Sequence, residues 1–120
     1  MRNISVIIAK NQIAEQEKTV TRRKGWKHLR AGEYLQPIAK GMGLKRGELV
    51  TRIGPPILIT SVTREPLNTM TEKPNYGAAE ARREGFPDLD GRAFVEMFCR
   101  AMKCEPDVEV ARIEFTYAFS

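Results

Sequence analysis

Between Lys18 and Arg30 the chain gathers six Lys/Arg residues, the hydroxyls of Thr19 and Thr21, the only tryptophan (Trp26) and the only histidine (His28). Such a block can hold a phosphate, stack a base and set a hydroxyl beside an ammonium. Lys18 and Thr21 stand three positions apart, with Arg22, Arg23 and Lys24 directly after them and Lys27 and Arg30 close behind. The charge is also unevenly spread. Residues 1–52 carry 12 Lys/Arg and 4 Asp/Glu, a balance of +8, whereas residues 53–120 carry 8 and 11, a balance of −3. That asymmetry steers an anionic partner to the N-terminal half.

The rest of the composition narrows the classes. At 120 residues, with 42% apolar and 29% charged content, the chain reads as one soluble domain over residues 1–120 whose core needs no disulfide. No apolar run approaches the ~20 residues of a membrane span. Ile4–Ala9 is too short for a signal-peptide core, so an intracellular, cytoplasmic protein is expected. Cys99 and Cys104 fall in a predicted helix, where residues five apart point about 140° away from each other. They are expected to be separate buried thiols. With one histidine elsewhere they do not complete a zinc shell, and neither a metal nor another cofactor is expected.

The elements that must position the basic block follow from pattern. Residues 3–9 read as a strand, Asn11 as the cap of a short helix to about Gln16, and residues 19–23 as a second strand broken by Lys24-Gly25. Residues 33–38 read as a strand and residues 41–48 as a glycine-punctuated loop. Residues 49–53 and 57–63 read as an antiparallel pair joined by Gly54-Pro55-Pro56. Residues 67–70 turn the chain. Asn75 is placed as the cap of a helix to Arg83 stopped by Gly85. Asp90 caps a second helix, residues 91–103, with Phe94, Met97, Phe98 and Met102 on its apolar face. Residues 108–118 alternate as a closing strand, with a slip near Ala111-Arg112 that suggests a bulge. This order predicts an α+β fold: a small, mostly antiparallel β-barrel with flanking helices.

The segment Gln16-Glu17-Lys18-Thr19-Val20-Thr21-Arg22-Arg23 resembles the signature of the ASCH family, a branch of the PUA-like superfamily, which reads approximately G-x-K-x-x-E-x-R. Lys18 and Arg23 match; Gln16 stands at the glycine and Thr21 at the acid. Gly32-Glu33, residues 67–72, Arg83-Glu84-Gly85-Phe86 and residues 110–115 are similar to later family segments in order. Residues 42–48 and the Gly25-Trp26 region look like phage and prophage ASCH proteins. A threonine at position 21 is similar to the ASCH amidohydrolases, which remove acyl groups from the exocyclic amine of cytidine. The resemblance implies a catalytic set of Lys18, Thr21 and a later glutamate, Glu84, with Glu80 as the competing acid one turn earlier. It implies RNA or a modified nucleoside as partner, and it leaves a non-catalytic RNA-binding module and a ribonuclease of the same fold as alternatives. Arg22, Arg23, Lys24, Trp26, Lys27 and Arg30 are the candidate ligand-binding residues.

The amidohydrolase chemistry sets conditions. A threonine hydroxyl is inert until a base touches it. Lys18 serves as that base if its pKa falls from about 10.4 toward 7–8. Burial and neighbouring cations push it down, while a nearby glutamate opposes the shift. In a regular strand, residues 18 and 21 point to opposite faces. They converge only if Lys18 lies in the loop before the strand or a bulge intervenes. Trp26 either stacks a base or plugs the barrel end. His28 reads as a surface residue, and one histidine cannot supply a two-histidine acid–base pair. Tyr34 and Tyr117 read as structural.

Overall fold

A computed structural model describes residues 1–39 and 51–118. The elements run β1 (Arg2–Ser5), α1 (Lys10–Ala14), β2 (Val20–Arg23), β3 (Tyr34–Ile38), β4 (Ile57–Pro66), α2 (Thr69–Glu72), α3 (Pro74–Arg83), α4 (Gly91–Met102) and β5 (Glu109–Tyr117). Five strands form one sheet in the order β1-β3-β4-β5-β2. Only β1 and β3 are parallel; the other three pairings are antiparallel. The expected α+β class and antiparallel character therefore hold.

The expected closed barrel does not. β1 and β2 are the two edges of the sheet, and no backbone pairing joins them among the described residues. A side chain spans the gap instead: a guanidinium nitrogen of Arg23, at the end of β2, donates to the carbonyl of Ser5, at the end of β1. The edges meet at a seam tied by an arginine.

Several local expectations need correction. α1 starts after Ala9 with no side-chain cap, so Asn11 lies inside it. α3 begins with Pro74 as its first residue, not with a cap at Asn75; proline suits that position because its missing N–H would be unpaired there anyway. Residues 41–48, and residues 49 and 50 of the expected strand, lie outside the described residues. Residues 51–53 pair with β3, through Ala39 N to Thr51 O and Ile53 N to Pro37 O, and not with β4. The bulge is on β4, where Ile59 faces Phe115 but Ser61 faces Glu114, leaving Thr60 as the extra residue.

The slip near Ala111 has another origin. Val110 and Ala111 are both buried, but in different cores. Ala111, Ile113 and Phe115 pack with Ile4, Leu35, Ile57 and Ile59 against the sheet. Val110 packs with Leu67, Met70, Ala81, Phe94 and Phe98 under the helices. The strand passes from one core to the other, and its alternation breaks at the crossing.

α4 forms as expected. Asp90 Oδ1 accepts from Ala93 N at 2.8 Å, and Phe94, Val95 and Phe98 are buried. The helices approach through glycines. A Cβ on Gly77 would lie 1.9 Å from the Met70 carbonyl oxygen, and one on Gly91 2.1 Å from the same atom. α4 ends at Lys103 in the left-handed conformation (φ 54°), and Cys104 N donates back to Cys99 O at 3.2 Å. This turn ends the helical rotation and brings the two cysteines together, Sγ to Sγ 3.8 Å. The expected divergence of the thiols assumed a helix that continued through 104. Among the described residues, no helix is long and apolar enough to cross a membrane.

Candidate active site

Lys18 sits just before β2, in the loop position that convergence with Thr21 required. Gln16 adopts φ 60° and turns the chain out of α1. The loop is then fixed at three points. Lys18 N donates to Gln12 O at 3.2 Å, Thr19 N to Arg83 O at 2.8 Å, and the Tyr117 hydroxyl to Lys18 O at 2.6 Å.

Glu84 follows the last turn of α3, which Gly85 ends at φ 100°. Its carboxylate is fully buried and divided between two cations. Lys18 Nζ donates to Oε1 at 2.6 Å and to the Glu84 carbonyl at 3.0 Å. Arg22 Nη1 donates to Oε2 at 3.1 Å. Glu80, one turn earlier, takes Arg22 Nη2 at 2.7 Å and Arg112 Nη2 at 3.1 Å. Arg22 and Arg112 are direct cross-strand partners on β2 and β5. Like charges so placed repel, and the shared Glu80 carboxylate makes the pairing tolerable. Tyr76 and Glu65 complete the network: Tyr76 OH donates to Glu65 at 2.7 Å and accepts from Arg22 Nη2 at 3.2 Å. One donor is left over. Arg22 Nε is buried and has no partner among the described residues.

The titrations follow. Burial pushes the Lys18 ammonium below its ordinary value; Glu84 opposes this, and Arg23 and Arg22 reinforce it. The direction is the one a base requires, and the opposing role of the glutamate is as expected. Burial lowers Arg23 to about 10 against the pull of Glu84, so it stays cationic at neutral pH. Burial pushes the Glu80 carboxyl up, but its bonds to Arg112 and Arg22 outweigh this and hold it below the usual range.

One cavity lies beside β2 and the segment that follows β1. Its lining includes Val6–Ala9, Lys18, Thr21, Arg22, Arg23, Glu84, Phe98 and Met102. Lys18, Thr21 and Glu84 thus line one cavity, although no hydrogen bond joins Lys18 to Thr21. Thr21 Oγ1 accepts instead from Arg23 Nε at 3.0 Å. The cavity measures about 20 Å³, space for about one water. A heterocycle does not fit that volume as the side chains stand.

The other candidate residues lie outside. Lys24, Trp26 and Lys27 line an open groove with Arg2 and His28. Arg2 stacks over Trp26 at 5.2 Å from the ring centroid, and Lys24 Nζ donates to Met102 O at 3.1 Å. Trp26 packs against the sheet core from the surface. Arg30 is exposed, and its backbone N–H donates to Glu33 at 2.6 Å. Sequence reasoning missed Arg112, Glu65 and Tyr76, and it gave Tyr117 no specific partner. A charged residue interrupting the apolar alternation of β5 was the available sign for Arg112.

No family model and no curated protein matches the chain. Solved structures do. A protein of Enterococcus faecalis described under family DUF984 superposes with TM-score 0.62 at 15% identity, over 98% of this chain and 80% of that one. A ZmASCH variant from Zymomonas mobilis gives 0.57 at 14% identity, over 95% and 67%. The ASCH domain of Lactobacillus crispatus gives 0.55 at 16%, over 97% and 79%. The open five-stranded sheet with its helical layer therefore carries the ASCH-domain fold.

Proposed function

We propose that the protein is an amidohydrolase acting on an acylated nucleobase, with acylated cytidine as its substrate class. The observation that carries this reading is that Lys18, Thr21 and Glu84 line a single cavity, with the lysine titrating below its ordinary value. Neutral Lys18 takes the Thr21 hydroxyl proton as Oγ1 attacks the acyl carbon. The proton then passes to the leaving exocyclic amine as the C–N bond breaks. Water hydrolyses the acyl-threonine, releasing a carboxylic acid and restoring the hydroxyl. Arg23, already donating to Oγ1, favours the developing negative charge there. Glu84 positions the lysine. Because Lys18 and Thr21 are not bonded to each other, the first transfer needs a swing of the amine or one bridging water, a common state of a site without substrate.

Thr21→Ala is expected to abolish release of free cytidine from N4-acylcytidine while binding of the nucleoside persists. Turnover surviving in that variant would sink this mechanism.

A second reading, RNA binding, draws on the outer groove of Arg2, Lys24, Trp26, Lys27 and His28, whose lining holds no carboxylate. An aromatic face amid cations suits stacked bases and phosphates. Binding of a single-stranded oligonucleotide is then expected to weaken with salt, with a log–log slope of about −0.7 per phosphate contact. A flat salt dependence would count against it.

A further inference from the structure

The cavity is lined by three cations and one carboxylate among the described residues. Among the described residues Glu84 is the one carboxylate in its lining, and both of its oxygens are taken, by Lys18 and by Arg22. Arg22 Nε has no partner among the described residues. Arg23 is the lining cation that makes no ion pair among the described residues. Its Nε and Nη1 bond neutral oxygens, Thr21 Oγ1 and the Ser5 carbonyl, and its Nη2 makes no hydrogen bond among the described residues. A guanidinium offers five donors in a planar fork that fits a carboxylate or phosphate with two parallel bonds. Here that fork is spent on a backbone carbonyl of an edge strand. The carbonyl is replaceable, because among the described residues no backbone ladder joins β1 to β2.

We propose that the cavity is an oxyanion site: a carboxylate or phosphate group of the ligand seats on Arg23 and the Arg22 Nε–H, displacing the Ser5 carbonyl and parting the seam. Binding and opening are then one event. The group that enters releases the arginine tie between the two edge strands, on entry for a phosphate-bearing nucleotide and after deacylation for the released carboxylate. This deepens the proposed function and rests on the cavity being its ligand site. Deacylation releases a carboxylate, and a nucleotide brings a phosphate; the guanidinium fork reads the chemistry common to both.

The test is titration of the full-length protein with sodium acetate and with sodium phosphate at constant ionic strength, with sodium chloride as reference. The readout is the Arg Nε–H resonances in nitrogen–proton correlation spectra. The expected result is saturable movement of the Arg22 and Arg23 signals by at least one oxyanion, at least 10-fold tighter than by chloride. Arg23→Gln weakens that binding at least 10-fold. Arg23→Lys, which keeps the charge but not the fork, gives an intermediate loss, and Lys73→Gln, an exposed change, leaves binding as it was. Tighter acetate identifies the released acyl group as the occupant, and tighter phosphate identifies a nucleotide. Equal response to chloride in the wild-type protein, or unchanged binding in a folded Arg23→Gln or Arg23→Lys protein, overturns the proposal. The titration contains no acylated substrate. Its failure is therefore distinct from loss of the hydrolase reading, which the Thr21→Ala turnover assay decides.

Discussion

Replacing Glu84 by glutamine keeps its shape and removes its charge, which isolates what the buried carboxylate contributes. Arg22 retains Glu80 and Glu65 as partners, so the loss falls mainly on Lys18, whose ammonium has no other carboxylate among the described residues. Breaking a buried pair in this way costs roughly 3–5 kcal/mol. Lysine also has an escape that sets a ceiling: it can give up its proton. Starting from the unfolded value of 10.5, neutralising it at pH 7 costs about 3.5 pKa units, or about 4.8 kcal/mol. At pH 9 the same escape costs about 2 kcal/mol. The sign is consistent. With its folded pKa lowered, Lys18 binds fewer protons in the native state than in the unfolded state, so its contribution to stability rises with pH between the folded value and 10.5. Loss of Glu84 widens that window. Urea denaturation of the wild-type and Glu84→Gln proteins at pH 7 and pH 9 is expected to show a penalty that falls from roughly 3–5 kcal/mol to about 2 kcal/mol or less at the higher pH. In a Lys18→Met background the penalty should nearly vanish, since no buried ammonium is left to satisfy. An equal penalty at both pH values, or an undiminished one in the Lys18→Met background, would refute the reasoning.

Other expectations follow from particular contacts. The Glu80 carboxyl is held below its ordinary value of 4.5 by Arg112 and Arg22. Its stabilisation is therefore present above pH 4.5 and fades as pH falls through the lowered value. The gap in urea midpoint between wild type and Glu80→Gln should close on acidification, and a gap constant from pH 7 to pH 3 would contradict it. Gly77→Ala would place a methyl 1.9 Å from the Met70 carbonyl oxygen, a backbone clash expected to lower stability by roughly 1–3 kcal/mol or more; an unchanged melting temperature would show that the helices yield freely. The Cys99 and Cys104 thiols touch at 3.8 Å. Mild oxidation should join them with loss of about 2 Da, because two thiols give up two protons and two electrons to the oxidant. Failure of the intact mass to change, with both thiols still alkylatable, would mean that the turn after α4 does not hold the pair together in solution.

Much of this arrangement was legible in the chain, for identifiable reasons. Strands β3 and β5 and helix α4 carry strong period and cap signals, and Asp90 behaves as its chemistry dictates. The placement of Lys18 ahead of β2 could be stated as a condition, because helix-turn chemistry at Gln16-Glu17 is local. What could not be read was long-range. Nothing in a period-two pattern says that Arg22 and Arg112 lie opposite each other, or that Glu80 and Glu84, one helical turn apart, divide the cations of two strands. The closed barrel was expected from the element order, but closure depends on whether β1 and β2 reach each other's backbone, which no local signal encodes. The thiols were misplaced because the αL residue after α4 is a lysine, whereas glycine is the usual sign of such a turn.

The burial of the Lys18–Glu84–Arg22–Glu80 cluster has a consequence for how this protein can change. Well-packed aliphatic side chains of similar volume would often serve a small domain as well as, or better than, ions withdrawn from water. Selection or engineering for heat resistance alone would therefore tend to erase these polar groups in concert, since removing one strands the others. A hardened variant should be easy to obtain and chemically silent, so the robustness of any relative that keeps the full set must come from elsewhere in the molecule.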